Sequence, residues 1–202
     1  ASDLVEVSSI TNDAPEVFPL GETLVTWTAT DTSGNSASAT QTISVIDTTL
    51  PTVIVPNNIQ VEAVSIDSNI VEFGSAEASD LVEVSSITND APEVFPLGET
   101  LVTWTATDIM GNISTLIQSV YLIDSISPRI AFTNDIVIEA SSTTENLVDL
   151  TIPETSDSVG VYSLTNDAPE VFPLGETIVT WTATASSGNS ASATQTITVV
   201  DT

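Results

Sequence analysis

Apolar and polar side chains alternate along several short stretches of the chain, which is the pattern of half-buried β-strands. In one such stretch, Val102, Trp104 and Ala106 fall on one face and threonines on the other. A turn-forming segment, Asp108–Asn112, follows it. About seven short strands of this kind predict a small β-sandwich. The strands with the clearest pattern are predicted at Thr52–Val55, Ile59–Ala63, Ile70–Phe73, Leu81–Ser86, Leu101–Thr107 and Ser114–Ile123.

The sequence repeats itself with a fixed period. Ala1–Asp31 recurs without a change at Ala78–Asp108. The motif Thr-Asn-Asp-Ala-Pro-Glu-Val-Phe-Pro-Leu-Gly-Glu-Thr begins at three positions that are 77 residues apart, Thr11, Thr88 and Thr165. We therefore expect a tandem array of all-β sandwiches that forms an elongated rod.

The period divides the 202 residues into a first repeat (1–47), a second repeat (48–124) and a third repeat (125–202). The first repeat is only the C-terminal part of a unit, because it has no counterpart of about residues 48–77. Two explanations stay open at this stage. Either the chain is a window from a longer array, or a neighbouring subunit supplies the missing strands.

The composition excludes several classes of function. The chain has 28 acidic residues against a single basic one, Arg129, and a net charge of −27. Such a surface repels nucleic acids and anionic membranes, and no apolar stretch predicts membrane insertion. Because Lys, His and Cys are absent, disulfides, thiolate or histidine catalysis and Cys- or His-ligated metals are excluded.

Several motifs of the second repeat resemble the hyalin repeat, or HYR domain. They are Phe-Pro-Leu-Gly-Glu-Thr-Leu-Val-Thr-Trp-Thr-Ala-Thr-Asp at 95–108, Gly-Asn at 111–112, the opening Asp47–Pro51 and Val61–Ala63. The third repeat matches with Asp124–Pro128 and Ile138–Ala140. The resemblance implies immunoglobulin-like sandwiches in tandem, in extracellular proteins with adhesive or structural roles. Many members carry a Cys pair that this chain lacks, so the source of stability is left open.

In an immunoglobulin-like sandwich, the entry segment and two loops meet at one end, and acidic residues occupy these places. Only oxygen donors gather there, and Ca²⁺ takes six to eight oxygens with tolerant geometry. We therefore predict a Ca²⁺ site at each repeat junction, the second weaker because Ala185 replaces an aspartate. The alternative is that these residues only form turns and solvated charges. The candidate ligands are Asp47, Glu77, Asp80, Asp108 and Asn112 at one junction, and Asp124, Glu154, Asp157 and Asn189 at the next.

Two other residue types have a predicted role. Trp27, Trp104 and Trp181 share the inward face of their strands with valine and alanine, so we expect them in the core rather than in a sugar-binding platform. Asn112-Ile113-Ser114 is a sequon for N-glycosylation. A glycan on Asn112 and a metal bound by Asn112 exclude each other.

These observations predict a non-enzymatic extracellular structural protein, either a cell-surface filament or the stalk of an adhesin. Every acidic motif is copied at the fixed period, whereas a catalytic site occurs once per enzyme. The expected partners are other copies of the chain or adjacent repeats. A module that binds glycans or a cell-surface partner, and a component of a surface-layer lattice, are the alternative functions.

Overall fold

The computed structural model describes residues 6–131 and 134–202, and its regular structure is entirely β. No helix of these residues is long and apolar enough to cross a membrane. The strands are β1 (Val7–Asn12), β2 (Gly21–Asp31), β3 (Ser36–Val45), β4 (Thr52–Ile54), β5 (Ile59–Glu62), β6 (Glu77–Ser79), β7 (Val84–Asn89), β8 (Gly98–Asp108), β9 (Ile113–Ile123), β10 (Arg129–Ile130), β11 (Ile136–Glu139), β12 (Thr155–Ser156), β13 (Val161–Asn166), β14 (Gly175–Ala185) and β15 (Ser190–Val200).

The second and third repeats have the same strand order. Each has a four-stranded sheet, β5-β9-β8-β7 or β11-β15-β14-β13, and a two-stranded sheet, β4-β6 or β10-β12. In the larger sheets, β5 runs parallel to β9 and β11 runs parallel to β15. Ile59 thereby pairs with Val120, and Ile136 pairs with Ile197. The described residues of the first repeat form the three-stranded sheet β1-β2-β3. The predicted all-β sandwich class is therefore confirmed.

A tryptophan–glutamine pair lies at the centre of each complete core. Trp104 Nε1 donates a hydrogen bond of 3.0 Å to Gln118 Oε1, and Trp181 Nε1 donates one of 3.2 Å to Gln195 Oε1. Both glutamines are fully buried. A buried amide needs partners for all its polar atoms, and Gln118 Nε2 donates to the carbonyl oxygens of Asn57 and Phe73 at 3.0 and 2.8 Å.

Hydrophobic packing crosses from the third repeat into the second. Val159 is only 1% exposed and belongs to the same buried cluster as Ala63, Phe95 and Leu122. The third repeat has its own cluster around Phe172 and other apolar residues. The second repeat therefore completes its core with a side chain from its neighbour.

Three predictions about local structure are wrong. Trp27 is 41% exposed, against 5% for Trp104 and 4% for Trp181, because the described residues of the first repeat form no second sheet over it. Ile70–Phe73 is not a strand, since this segment has only an isolated bridge, between Asn69 and Phe95. The strand predicted from Leu81 begins three residues later, at Val84.

Contacts divide the chain into two compact units. The first contains the described residues up to Val53, together with Ala78–Ile87 and Thr105–Ser114. The second contains Ile54–Glu77, Thr88–Trp104 and Thr115–Thr202. The candidate ligands Asp47, Asp80, Asp108 and Asn112 all lie in the first unit, whereas those of the following junction lie in the second.

One aspartate of the Thr-Asn-Asp motif fixes the loop before the long strand in every repeat. Asp13, Asp90 and Asp167 accept a 2.6 Å hydrogen bond from the backbone N–H of a threonine thirteen residues later. This bond, from Thr180, is the main reason that the pKa of Asp167 lies below its ordinary value of 3.8. The charged form of Asp167 therefore favours the folded state.

We expect this contribution to be complete above about pH 3.8 and to disappear as the pH falls through the lower pKa of the folded state. The variant Asp167→Asn keeps the acceptor oxygen but does not titrate. The difference in free energy of unfolding between wild type and Asp167→Asn should therefore shrink towards zero on acidification. Denaturant titrations from about pH 5 to about pH 2 measure it. Glu170→Gln, a change of the same charge on the same exposed loop, is the control, and an equal pH dependence in both variants would contradict the prediction.

Candidate metal centre at the repeat junction

A tight turn between β8 and β9 holds one of the candidate ligands. The Asp108 N–H donates to the Asn112 carbonyl at 3.1 Å, and Gly111 has a φ of +90°, a conformation that favours glycine. Asp108 is 2% exposed, and its carboxylate bonds the backbone of the turn. Its Oδ1 accepts from the backbone N–H groups of Met110 and Asn112, both at 2.8 Å.

Asn112 orients this carboxylate. Its Nδ2 donates to Asp108 Oδ2 at 2.7 Å and to the carbonyl oxygen of Asp47 at 3.2 Å. Burial of Asp108 raises its pKa, but hydrogen bonds from the Asn112 side chain and from the turn backbone outweigh burial and hold the pKa below its ordinary value. Asp108 is therefore charged at neutral pH, and the Asn112 amide links it to the segment that enters the second repeat.

Three carboxylates meet at this turn. One oxygen from each of Asp47, Asp80 and Asp108 lies within 4.8 Å of the others. Asp47 Oδ1 accepts hydrogen bonds from the backbone and hydroxyl of Thr49, and Asp80 Oδ2 accepts one from the Val82 N–H at 2.9 Å. Asp47 Oδ2, however, is buried with no hydrogen-bond donor among the described residues. An unpaired buried carboxylate oxygen costs free energy unless a cation or a proton satisfies it.

The equivalent turn of the third repeat differs at two positions. Ala185 replaces the central aspartate, although the turn keeps its backbone bonds, with the Ala185 N–H donating to the Asn189 carbonyl at 2.7 Å. Ser187 stands where the second repeat has Met110, and its hydroxyl donates to Asp124 Oδ2. Asp157 Oδ2 is buried without a donor among the described residues. A serine hydroxyl thus satisfies one carboxylate here, and the third carboxylate is missing.

The protein family follows from the sequence together with this architecture. The family profile described as HYR domain matches residues 1–45, 46–115 and 123–199. The chain belongs to the HYR domain family. The predicted resemblance is therefore confirmed, in a chain of HYR repeats without cysteine.

Proteins named hyalin from two organisms align with nearly the whole chain. It is 36% identical over 201 residues to hyalin of Lytechinus variegatus, covering 92% of this chain and 38% of that protein. It is 38% identical over 209 residues to hyalin of Strongylocentrotus purpuratus, covering 96% of this chain and 17% of that protein. The chain thus spans well under half of either relative. Among solved structures, PcdhgB3 EC1-4 gives a TM-score of 0.37 at 15% identity, covering 90% of this chain and 57% of that one.

The HYR fold does not bring every predicted ligand into the carboxylate group. Among the described residues, only Asp47, Asp80 and Asp108 form a group of three potential ligands. Glu77 and Glu154 are exposed and lie outside that group, and the backbone carbonyl of Glu154 accepts a 2.7 Å bond from the Ala131 N–H. Asn189 Nδ2 donates to the carbonyl oxygen of Asp124 at 2.7 Å, as Asn112 does to that of Asp47.

Sequence reasoning missed Thr49 and Ser187, whose hydroxyls donate to Asp47 Oδ1 and to Asp124 Oδ2. Thr49 had a signal, because it stands two residues after an aspartate, the spacing of an Asx turn. Ser187 had none, since the residue at the same place in the second repeat, Met110, has no hydroxyl.

The donor set at the first junction fits a hard divalent cation. It offers oxygen atoms only, three of its groups are carboxylates, and one oxygen is buried and unpaired. Ca²⁺ binds such sets and tolerates irregular geometry, whereas Zn²⁺ and other transition metals favour nitrogen and sulfur ligands. Asn112 was predicted as a ligand, but its amide nitrogen donates to the carboxylate of Asp108. In this arrangement Asn112 therefore positions the ligand Asp108.

Proposed function

We propose that the chain is a non-enzymatic extracellular structural protein of adhesion type, built as a tandem-repeat rod. The rod belongs to a cell-surface filament or to the stalk of an adhesin, and Ca²⁺ stiffens its first repeat junction. Membership of the HYR family, near-identical repeats at a fixed period and a net charge of −27 support this proposal. The charge keeps neighbouring rods soluble and apart in the absence of divalent cations.

The observation that carries the proposal is the carboxylate group with its unpaired Asp47 oxygen. Asp47 lies at the end of the first repeat, while in the second repeat Asp80 follows β6 and Asp108 ends β8. A cation held by all three would link the connecting segment to the ends of both strands and restrict bending at that point. Ca²⁺ would supply the positive charge, and the backbone bonds of Asp108 and Asp80 would hold the ligands in place.

Calcium should therefore raise the stability of the protein, and this rise should depend on Asp108. With free Ca²⁺ about 100-fold above its dissociation constant, binding should add about 2.7 kcal/mol to the free energy of unfolding relative to EDTA. Asp108→Asn keeps the acceptor oxygen for the turn but loses the charge, so it should lose most of the gain. Urea titrations in Ca²⁺ and in EDTA measure both effects.

The matched control is Asp157→Asn at the second junction, which should respond to Ca²⁺ like the wild type. An identical unfolding curve of the wild-type protein in millimolar Ca²⁺ and in EDTA would contradict the calcium site. Small-angle X-ray scattering of the same samples tests the rod separately. The maximum dimension should increase with Ca²⁺, whereas a compact particle under both conditions would contradict an extended array.

A further inference from the structure

The turn between β8 and β9 contains the single sequon for N-glycosylation in the sequence, Asn112-Ile113-Ser114. The asparagines at the same place in the other repeats, Asn35 and Asn189, are followed by Ser-Ala and form no sequon. The turn of the second repeat therefore combines two roles in one side chain. Asn112 is a structural residue of the turn and the acceptor of the sequon.

The amide nitrogen of Asn112 already uses both of its hydrogens. It donates to Asp108 Oδ2 at 2.7 Å and to the carbonyl oxygen of Asp47 at 3.2 Å. Because a side-chain amide has two N–H donors, no N–H group is left over. Asn112 is half-buried, and the two residues after it, Ile113 and Ser114, already belong to β9, which lies beside β8. The whole sequon is thus part of the folded turn and strand.

The turns without a sequon use the same amide in a similar way. Asn35 Nδ2 donates to Asp31 Oδ2 at 2.8 Å, and Asn189 Nδ2 donates to the carbonyl oxygen of Asp124 at 2.7 Å. Asn112 makes both kinds of bond at once. The structural use of this nitrogen is therefore a property of the turn in every repeat.

N-glycosylation replaces one of the two amide hydrogens by a sugar. A C–N bond forms between Asn112 Nδ2 and the anomeric carbon of a lipid-pyrophosphate-linked oligosaccharide. The C–O bond from that carbon to the pyrophosphate breaks, so the lipid pyrophosphate leaves and the nitrogen loses one proton. The anomeric carbon lies about 1.5 Å from the nitrogen, in the direction of an acceptor oxygen that is itself 2.7 or 3.2 Å away. Even close contacts between carbon and oxygen need about 3.3 Å, so the sugar overlaps the folded turn.

We infer that Asn112 accepts an N-linked glycan only before the chain folds, and that a glycan there holds the turn between β8 and β9 open. In the folded chain, both hydrogens of the nitrogen are occupied. In a chain that is glycosylated first, the sugar displaces the Asn112 side chain from Asp108 or from Asp47, and the turn loses its link to the segment that enters the second repeat. The inference rests on hydrogen bonds of the chain alone and needs no bound cation.

The folded chain reacts only while this turn is open. Opening breaks one hydrogen bond to a charged carboxylate and one to a carbonyl, which keeps the open fraction at about 1% or less. Glycosylation of the folded chain should therefore be about 100-fold slower than glycosylation of an unfolded acceptor with the same sequence. A synthetic peptide of residues 105–121 is that acceptor.

A second sequon provides a matched control in the folded chain. Gln60→Ser creates it at Asn58, with the same middle residue, isoleucine. Asn58 directly precedes β5, as Asn112 directly precedes β9, but it is exposed. Its Oδ1 accepts from the Ser119 N–H at 2.8 Å, whereas its amide nitrogen donates no hydrogen bond within the described part of the chain. Combined with Ser114→Ala, which removes the natural sequon, this change leaves Asn58 as the single acceptor.

The first test measures glycan occupancy against time by mass spectrometry. With a purified oligosaccharyltransferase and a lipid-linked oligosaccharide, we expect similar rates for the peptide and for Asn58 in the control chain, and a rate about 100-fold lower for Asn112 in the folded wild-type chain. If the transferase is present during cell-free translation, Asn112 should be glycosylated as readily as Asn58. Modification of folded Asn112 at the rate of Asn58, or no modification of Asn112 during translation when Asn58 is modified, would overturn the inference.

Hydrogen exchange tests the effect of the glycan on the turn. In the chain glycosylated at Asn112 during translation, the backbone amides of Met110, Gly111 and Asn112 should exchange at least about tenfold faster than in the unmodified chain. A glycan on Asn58 should leave this fragment as slow as in the unmodified control chain. Equal protection of the turn with and without a glycan on Asn112 would show that the two coexist, and would overturn the inference.

Discussion

Replacing Asn146 by alanine should destabilise the third repeat by about 2–4 kcal/mol, because it leaves several buried polar groups unpaired. Asn146 is 1% exposed. Its Oδ1 accepts from the backbone N–H groups of Ser141 and Ser142 at 2.8 and 3.0 Å. Its Nδ2 donates to the carbonyls of Ser142 and Phe172, both at 2.9 Å. One side chain thus replaces the strand ladder that this segment does not form.

Urea denaturation followed by tryptophan fluorescence measures the loss, since each repeat contains one tryptophan. Asn166→Ala is the matched control. Asn166 is exposed and makes a local bond to the Ala168 N–H at 3.0 Å, so its removal should change the free energy of unfolding by about 0.5 kcal/mol or less. A loss at Asn146 no greater than that at Asn166 would refute its structural role.

The second large effect is expected for Ala185→Asp, in which Ca²⁺ should stabilise the protein by binding at the second junction. The turn around Ala185 has the backbone bonds of its counterpart at Asp108, and Asp124 and Asp157 are already in place. A third carboxylate should complete the donor set there. In EDTA the variant should be less stable than the wild type, because a buried carboxylate is added beside two others. With Ca²⁺ about 100-fold above its dissociation constant, the new site should add about 2.7 kcal/mol.

Ala185→Asn separates charge from shape in this experiment. It offers an amide oxygen at the same place but no charge, so Ca²⁺ should add no more stability to it than to the wild type. Isothermal titration of the three proteins counts the sites directly, with one additional Ca²⁺ expected for Ala185→Asp only. If Ala185→Asp and Ala185→Asn give the same stoichiometry, the carboxylate at this position does not determine binding.

Periodicity in the sequence predicted the fold class because strand alternation and repeat length are local signals. The alternation of Val102, Trp104 and Ala106 matches their burial in the structure. The error at Ile70–Phe73 has a different origin. Its β-forming side chains indicated a strand, but Asn69 fixes the backbone there through its own hydrogen bonds and a single bridge to Phe95. Backbone hydrogen bonds made by one side chain, in place of strand pairing, leave no periodic pattern in the sequence.

The candidate site was predicted in part. Asp47, Asp80 and Asp108 could be proposed because an immunoglobulin-like topology brings their loops together, and the structure places them within 4.8 Å. Glu77 was proposed on the same basis, but it begins β6 and its side chain is exposed. The face of a sheet to which a side chain points depends on the register of its strand. The exposure of Trp27 could not be predicted from the sequence around it. Trp27 and Trp104 lie in identical segments of 31 residues, and the two side chains differ only in what packs against them.

Val159 has a mechanical consequence. Because this third-repeat side chain lies in the apolar cluster of the second repeat, the loss of one repeat under tension uncovers the core of the other. Nearest-neighbour coupling of this kind makes a chain of small domains resist pulling as a larger cooperative block. A stretched array would then lengthen in steps of more than one 77-residue repeat.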